Sequence, residues 1–357
     1  MDRSTQVYLH DIALAVPEHS YSQELALSHM QQMHAADPMI CRLLGRIYRN
    51  SGIETRYSVT GDVHGNREPT TRERNDRYAV EARTLSYKAA SALLDRHPPL
   101  RKKVTHLITA SCTGFSAPGF DFYLARDLPL PQGVHRYHLG YMGCYAAFPA
   151  LRLARSICRA EPEARVLVVN LELCTLHLQY KDHADIMVAN AIFADGASAA
   201  IVSADPADSG PTRLVLTHFR THTVPNSESV MGWTIGDTGF DMTLSAKVPR
   251  LVQRSMKQVV NDVAGDLRIE PDDIVTWAIH PGGRAILDTA ADALEVERSE
   301  LRVSYDVLRD YGNMSSATIM FVLERVLAGG KDGGVFAAAF GPGLTIESAY
   351  LEKTGRC

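Results

Sequence analysis

The chain has no apolar run long enough to cross a bilayer, no Cys-x-x-Cys pair and no excess of basic charge. Each absence removes a class of function. A spanning helix needs about 20 consecutive apolar residues, so none is expected. Six cysteines that never fall at two-residue spacing argue against a zinc site or a disulfide framework. Free thiols fit a reducing cytoplasm, which is the expected location. A formal net charge of −4 leaves no electrostatic footprint for nucleic acid or an anionic membrane. Asp11, Pro17 and Glu18 bracket the short apolar run at 12–16, so no signal peptide is expected. His135 with His138, and His218 with His222, invite a metal reading. Neither pair has a carboxylate or cysteine at ligand spacing, and no metal is expected.

What is present is enough apolar material for a sizeable core. Hydrophobic residues make up 45% of 357, which suffices for two domains or one large two-lobed unit. Residues 61–78 are polar and charged and read as an exposed loop leading into a helix. Residues 81–94 are Ala-rich with helical spacing. Strand-like segments follow at 105–110, 166–170 and 199–203. The turn-rich stretch 205–211 marks a boundary, giving an N-terminal half over 1–205 and a C-terminal half over 206–357. In the second half we expect strands at 214–218, 275–279 and 334–340. Helices are expected at 248–265 and 284–293, with one long helix over 311–327. Strands alternating with helices imply a layered α/β fold. No internal repeat shows by residue identity.

Three polar residues stand in Gly-rich settings. Cys144 lies in GYMGCYAAFPA (140–150), His280 in AIHPGG (278–283) and Asn313 in YGNMSSAT (311–318). The first half supplies the cysteine and the second half the other two. Sulfur attacks a thioester as thiolate, which needs a nearby imidazolium, a helix N-terminus, or both. Residues 135–141 read as a strand, Gly143 permits a tight turn, and an apolar helix is expected from Tyr145. Pro149 would fall near the start of that helix, where a missing N–H is less harmful. Cys144 would then sit where the helix dipole favours negative charge. His280 should end a strand at a loop mouth, a usual place for site residues in α/β folds. Asn313 offers a neutral donor which, beside His280, could build an oxyanion hole for a thioester enolate. Arg42, Arg46 and Arg49 recur at helical spacing and place three guanidiniums on or near one face, suited to phosphate. Arg56 is a further candidate, and Gly282 and Gly283 would let a narrow arm pass close to the backbone.

These motifs resemble the type III polyketide synthases, the chalcone-synthase-like family of the thiolase superfamily. SCTGFSAPGFD (111–121), VVNLEL (168–173), AIFADGASAAIV (191–202), MGWTIGDTGF (231–240) and AFGPGLTIE (339–347) carry the resemblance along most of the chain. The SCTGF and MGW…DTGF strings look like bacterial members, many of which load fatty acyl chains. The resemblance implies a five-layered αβαβα thiolase-like fold of two pseudo-equivalent halves and a homodimer. It makes Cys144 the acyl-carrying nucleophile, with His280 and Asn313 serving malonyl decarboxylation and condensation. Phe193 matches a gatekeeper between CoA tunnel and cavity, and Met242 stands where a second Phe is usual. Cys112, Cys174 and His177 fall where plant members have Thr, and Trp233 near a plant Gly, so the lining is not plant-like. Ala117 replaces a residue that in plant relatives reaches across the dimer. The substrates implied are an acyl-CoA, with a fatty acyl starter, and malonyl-CoA. The arginines would hold CoA phosphates, and no cofactor is needed. The expected product is an alkylpyrone or alkylresorcinol. Two other readings remain open: a β-ketoacyl-ACP synthase-like enzyme, whose histidine usually has a Gln-Ala-Asn context, and a non-catalytic acyl-CoA-binding protein.

Overall fold

The computed structural model describes residues 5–61, 68–208, 210, 212–329 and 331–355. Part of the polar loop expected at 61–78, and two positions of the boundary stretch 205–211, lie outside these residues. Among the described residues, thirteen strands follow in chain order. They are β1 (Tyr8–Ala15), β2 (His19–Ser22), β3 (Thr55–Ser58), β4 (His106–Ala110), β5 (His135–Leu139), β6 (Arg165–Leu173) and β7 (Asp195–Ser203). Then come β8 (Thr212–Thr223), β9 (Met231–Gly236), β10 (Gly239–Leu244), β11 (Ile274–Ile279), β12 (Gly333–Gly341) and β13 (Thr345–Gly355).

Nine strands form one sheet in the order β11-β12-β13-β8-β1-β7-β6-β4-β5. Its centre is a short seam where Tyr8 and Leu9 of β1 face Val215 and Leu214 of β8. On one side β4 runs parallel to β6, β6 antiparallel to β7 and β7 antiparallel to β1. On the other, β11 runs parallel to β12, β12 antiparallel to β13 and β13 antiparallel to β8. The repeat that residue identity hides is thus plain in topology. β5 is the extra strand of the first half.

Strand alternation builds the layers. In β6, Val166 and Val168 point one way while Leu167, Val169 and Leu171 point the other. In β12, Val335, Ala337 and Ala339 face one side and Phe336, Ala338 and Phe340 the other. The first set of each strand meets in a shared central core around the helices Ala147–Ala160 and Thr318–Ala328. The second sets pack on outer helices, Thr71–Arg96 for the first half and Val248–Leu267 with Arg284–Leu294 for the second. Helix, sheet, helix, sheet, helix gives the five layers of the thiolase-like α/β fold. Each half of the nine-stranded sheet forms one sheet layer and is covered on both faces, so β6 and β7 are buried at every position. Each large apolar side chain so buried contributes about 1.5–3 kcal/mol.

The long helix expected over 311–327 does not form as one piece. A helix Arg302–Tyr311 ends, a 3-10 turn Ser315–Ala317 intervenes, and a second helix Thr318–Ala328 follows. Gly312 (φ +71) and Ser315 (φ +47) take left-handed backbone, which the helical spacing of side chains does not reveal. The break is what presents Asn313. Among the described residues, no helix is long and apolar enough to cross a membrane.

Candidate active site

Cys144 sits in a 3-10 turn, Gly143–Tyr145, directly before the helix Ala147–Ala160. The helix begins slightly later than the sequence suggests, with Pro149 inside its first turn. Gly143 has φ +67, and a Cβ there would lie 2.6 Å from Pro342 Cδ. Only glycine lets the FGPG loop close over the turn that carries Cys144. His280 follows β11 directly, its N–H bonded to Ala338 O at 2.8 Å. Asn313 is clamped by its backbone: its N–H donates to Ile192 O at 2.9 Å, and its O accepts from Ala194 N at 2.8 Å. Asn313 Oδ1 accepts from Ser315 N at 2.9 Å and Thr318 Oγ1 at 3.3 Å. The amide nitrogen must therefore face the other way, and it donates to Gly282 O at 3.3 Å.

All three open onto one cavity of about 360 Å³. It is also lined by Cys112, Cys174, His177, Phe193, Trp233, Met242, Gly282 and Gly283, so the fold gathers these sequence candidates in one place. Most of the remaining wall is apolar, from residues such as Ile186, Val188, Leu244 and Ile286. Phe193 shares an isolated β-bridge with Asn313, which couples the two through the backbone.

Burial sets the charge states. It pushes the Cys144 thiol up to about 11, against hydrogen bonds from Ser315 and Asn313 that pull it down. It pushes His280 down to about 3. Neither ring nitrogen of His280 has a hydrogen-bond partner among the described residues, so imidazole and thiol are not hydrogen bonded to each other here. A lone thiolate or a lone imidazolium is disfavoured in this cavity. Both can exist together as an ion pair, each offsetting the other's desolvation.

Sequence reasoning missed the polar support of this wall. Glu172, at the end of β6, is fully buried and accepts from Cys112 N at 3.0 Å, Thr113 Oγ1 at 3.0 Å and Ser316 Oγ at 2.6 Å. Burial pushes its carboxyl up to about 7, with those bonds opposing. The signal was a lone carboxylate inside the apolar run VVNLEL. Ser315, which hydrogen bonds Cys144, was quoted only within YGNMSSAT.

The arginines divide. Arg42, Arg46 and Arg49 are exposed on the helix Pro38–Arg49, whose Ile47, with the neighbouring Asn50 and Ser51, reaches the cavity. Arg46 and Arg49 themselves do not line it. Arg56 is placed differently from these three. It lies in the cavity wall, is 2% exposed and spends Nη1 on Asn190 O (2.7 Å) and Phe193 O (2.8 Å). Its guanidinium lies 5.1 Å from the Tyr21 ring centroid. It ties down the backbone of Asn190 and Phe193 from within the wall. The alternation of β3 turns it inward. Three histidines of these pairs have other partners: His135 stacks on His106, His138 bonds Thr109, and His218 bonds Asp266.

The sequence matches the chalcone and stilbene synthases, N-terminal domain, over residues 3–206, and their C-terminal domain over residues 216–354. The chain belongs to this family. Its structure is similar to the C-terminal type III polyketide synthase domain of Steely1, a type I/III hybrid from Dictyostelium. Identity is 27% and TM-score 0.92 over 97% of this chain and 99% of that one. It is also similar to 1,3,6,8-tetrahydroxynaphthalene synthase from Streptomyces coelicolor, at 28% identity and TM-score 0.90 over 98% and 100% of the two chains. PKS-I from the brown alga Ectocarpus siliculosus aligns at 27% identity and TM-score 0.90 over 99% and 100%. By family the chain is a type III polyketide synthase, a malonyl-CoA-dependent condensing enzyme of the acyltransferase class.

Proposed function

We propose that this enzyme loads a fatty acyl-CoA starter onto Cys144, extends it with malonyl-CoA and releases an alkylpyrone or alkylresorcinol. The observation that carries this reading is the convergence of Cys144, His280 and Asn313 on one largely apolar cavity. The Cys144 proton passes to His280, and the thiolate attacks the acyl-CoA carbonyl. CoA leaves as a thiol by taking the proton back. Malonyl-CoA then binds and loses carbon dioxide, and its electron pair becomes an enolate. His280 and the Asn313 amide donate to the enolate oxygen. The enolate carbon attacks the Cys144 thioester carbonyl and expels the Cys144 thiolate, leaving the lengthened chain on CoA; the thiolate then takes that chain back, and CoA leaves as a thiol. Thiol, imidazole and amide supply this chemistry without metal, flavin or nicotinamide.

Several features support the finer parts. Apolar lining suits an alkyl starter. Arg42, Arg46 and Arg49 beside the cavity suit the phosphates of CoA, with Arg284 on the lining itself. A homodimer is supported by the edge strand β5, exposed along nearly its whole length, and by exposed Phe122, Tyr137 and Met142 near it. Free thiols on all five described cysteines fit a cytoplasmic enzyme. The likeness of SCTGF and MGW…DTGF to bacterial members supports a bacterial-type enzyme.

The test is mass spectrometry of products from malonyl-CoA and starters graded from acetyl- to long-chain acyl-CoA. Pyrones or resorcinols whose mass tracks a long starter are expected. Products from short starters alone would overturn the fatty acyl assignment.

A further inference from the structure

His177 lines the cavity, yet both of its ring nitrogens are used within the protein. Nε2 lies 2.8 Å from Thr113 O, and Nδ1 lies 3.2 Å from Phe240 N. A carbonyl only accepts and a backbone N–H only donates. His177 is therefore held as the neutral Nε2–H tautomer, in keeping with burial that pushes it down to about 4. Its face stacks on Phe240 at 3.9 Å, and Phe240 stacks on Trp233 at 4.7 Å. Behind them, outside the cavity lining, Phe115 lies 6.4 Å and Tyr141 6.3 Å from Trp233. Tyr141 is 69% exposed. A column of rings thus runs from the cavity wall to the surface.

Phe240 and Trp233 belong to the β9–β10 hairpin, a two-stranded sheet separate from the main one. Its tip is tied to the helix Thr71–Arg96, where Thr71 N donates to Asp237 O at 2.9 Å and Thr71 Oγ1 accepts from Gly239 N at 2.8 Å. His177 joins β10 to the loop after β4 by hydrogen bonds, alongside the ring contact of Phe115 with Phe240 at 5.7 Å.

We propose that His177 is a positioning residue that staples Thr113 to Phe240, fixing Phe240 and Trp233 as the closed end of the cavity and so limiting starter length. This rests on the cavity being the acyl site. Were the ring only filling space, an apolar ring would do as well. With the staple essential, a ring without nitrogens leaves Thr113 O and Phe240 N unpaired, and the wall loosens.

The experiment compares His177→Phe, which keeps the stack and loses both hydrogen bonds, with His177→Gln, which retains a donor for Thr113. The chain has two tryptophans, so Trp233 is read alone in a Trp277→Phe background. Iodide quenching of Trp233 should rise in His177→Phe and less in His177→Gln. The kcat/KM ratio of a long to a short acyl-CoA should rise about tenfold or more in His177→Phe, the discrimination expected per methylene at a closed wall. Wild-type quenching and starter ratio in His177→Phe overturn the proposal. So does equal disturbance in the two variants. If His177→Phe does not fold, His177→Gln alone decides, by a raised or an unchanged quenching. The quenching readout needs no turnover, so it stands even if no acyl-CoA acylates Cys144, an outcome that would defeat the functional reading instead.

Discussion

Glu172 stands behind one wall of the cavity and His280 lines another, each from a different half of the chain. Both are almost wholly removed from solvent, at 0% and 1% exposure. Glu172 receives hydrogen bonds from Cys112, Thr113 and Ser316. His280 has no partner at either ring nitrogen among the described residues. Buried polar groups are normally satisfied, and an orphan calls for a reason. The saturated carboxylate builds the wall, while the bare imidazole keeps its capacity for a substrate. Bonding pattern, more than burial or charge, separates frame from reagent here.

The contrast breaks most sharply in turnover. His280→Ala and Asn313→Ala should each lower kcat by about 10²–10³-fold, the cost of one donor at a developing oxyanion. Glu172→Gln, which keeps the shape, should cost far less in steady-state rates. Comparable losses in all three would erase the distinction.

The stability of Glu172→Gln sharpens the other side. Burial raises the folded carboxyl from 4.5 to about 7. The folded state thus prefers the protonated form, and that stabilisation is full below about pH 4.5 and is lost as pH rises through 7. The amide never ionises. Unfolding free energies of variant and wild type should therefore diverge by about 3 kcal/mol in favour of Gln between pH 4.5 and 7.5. His280 has the opposite sign. Lowered from 6.5 to about 3, it contributes stability above pH 6.5 that is lost as pH falls toward 3. Denaturant titrations across pH check both.

A smaller effect tests the ion pair. Iodoacetamide should alkylate Cys144 quickly near neutral pH in the wild type. In His280→Gln the half-maximal pH should move up by about one unit or more, because the thiolate loses its counter-charge. No movement would mean that the helix N-terminus and Ser315 suffice. Smallest of all, Arg46→Ala with Arg49→Ala should raise the KM for acyl-CoA about threefold at low salt with kcat held, and the gap should close at high salt. A fall in kcat instead would place these arginines in the chemistry.

How far the sequence reached depends on how local each cause is. Cys144, His280 and Asn313 carry their own Gly-rich flanks, and strand-helix alternation is local, so site and layers were legible. The helix break after Tyr311 was not. It is held by Ile192 and Ala194 across the fold, while the spacing over 311–327 is helical. Arg56 was grouped with the phosphate-binding candidates, and its buried setting was not legible because its partners are backbone carbonyls of residues far along the chain. MGWTIGDTGF was read as a motif, though Gly-Asp-Thr-Gly between two apolar stretches is also a hairpin signal. That hairpin turned out to wall the cavity.

The central claim is that chemistry runs through Cys144 rather than through Cys112 or Cys174, which share the cavity. Burial pushes both of those thiols well up. The direct measurement is peptide mass spectrometry of the enzyme after an acyl-CoA pulse, before and after malonyl-CoA is added. The account predicts an acyl adduct on the Cys144 peptide that grows by acetate-derived units. An adduct confined to Cys112 or Cys174, or chain growth with Cys144 never acylated, would contradict it.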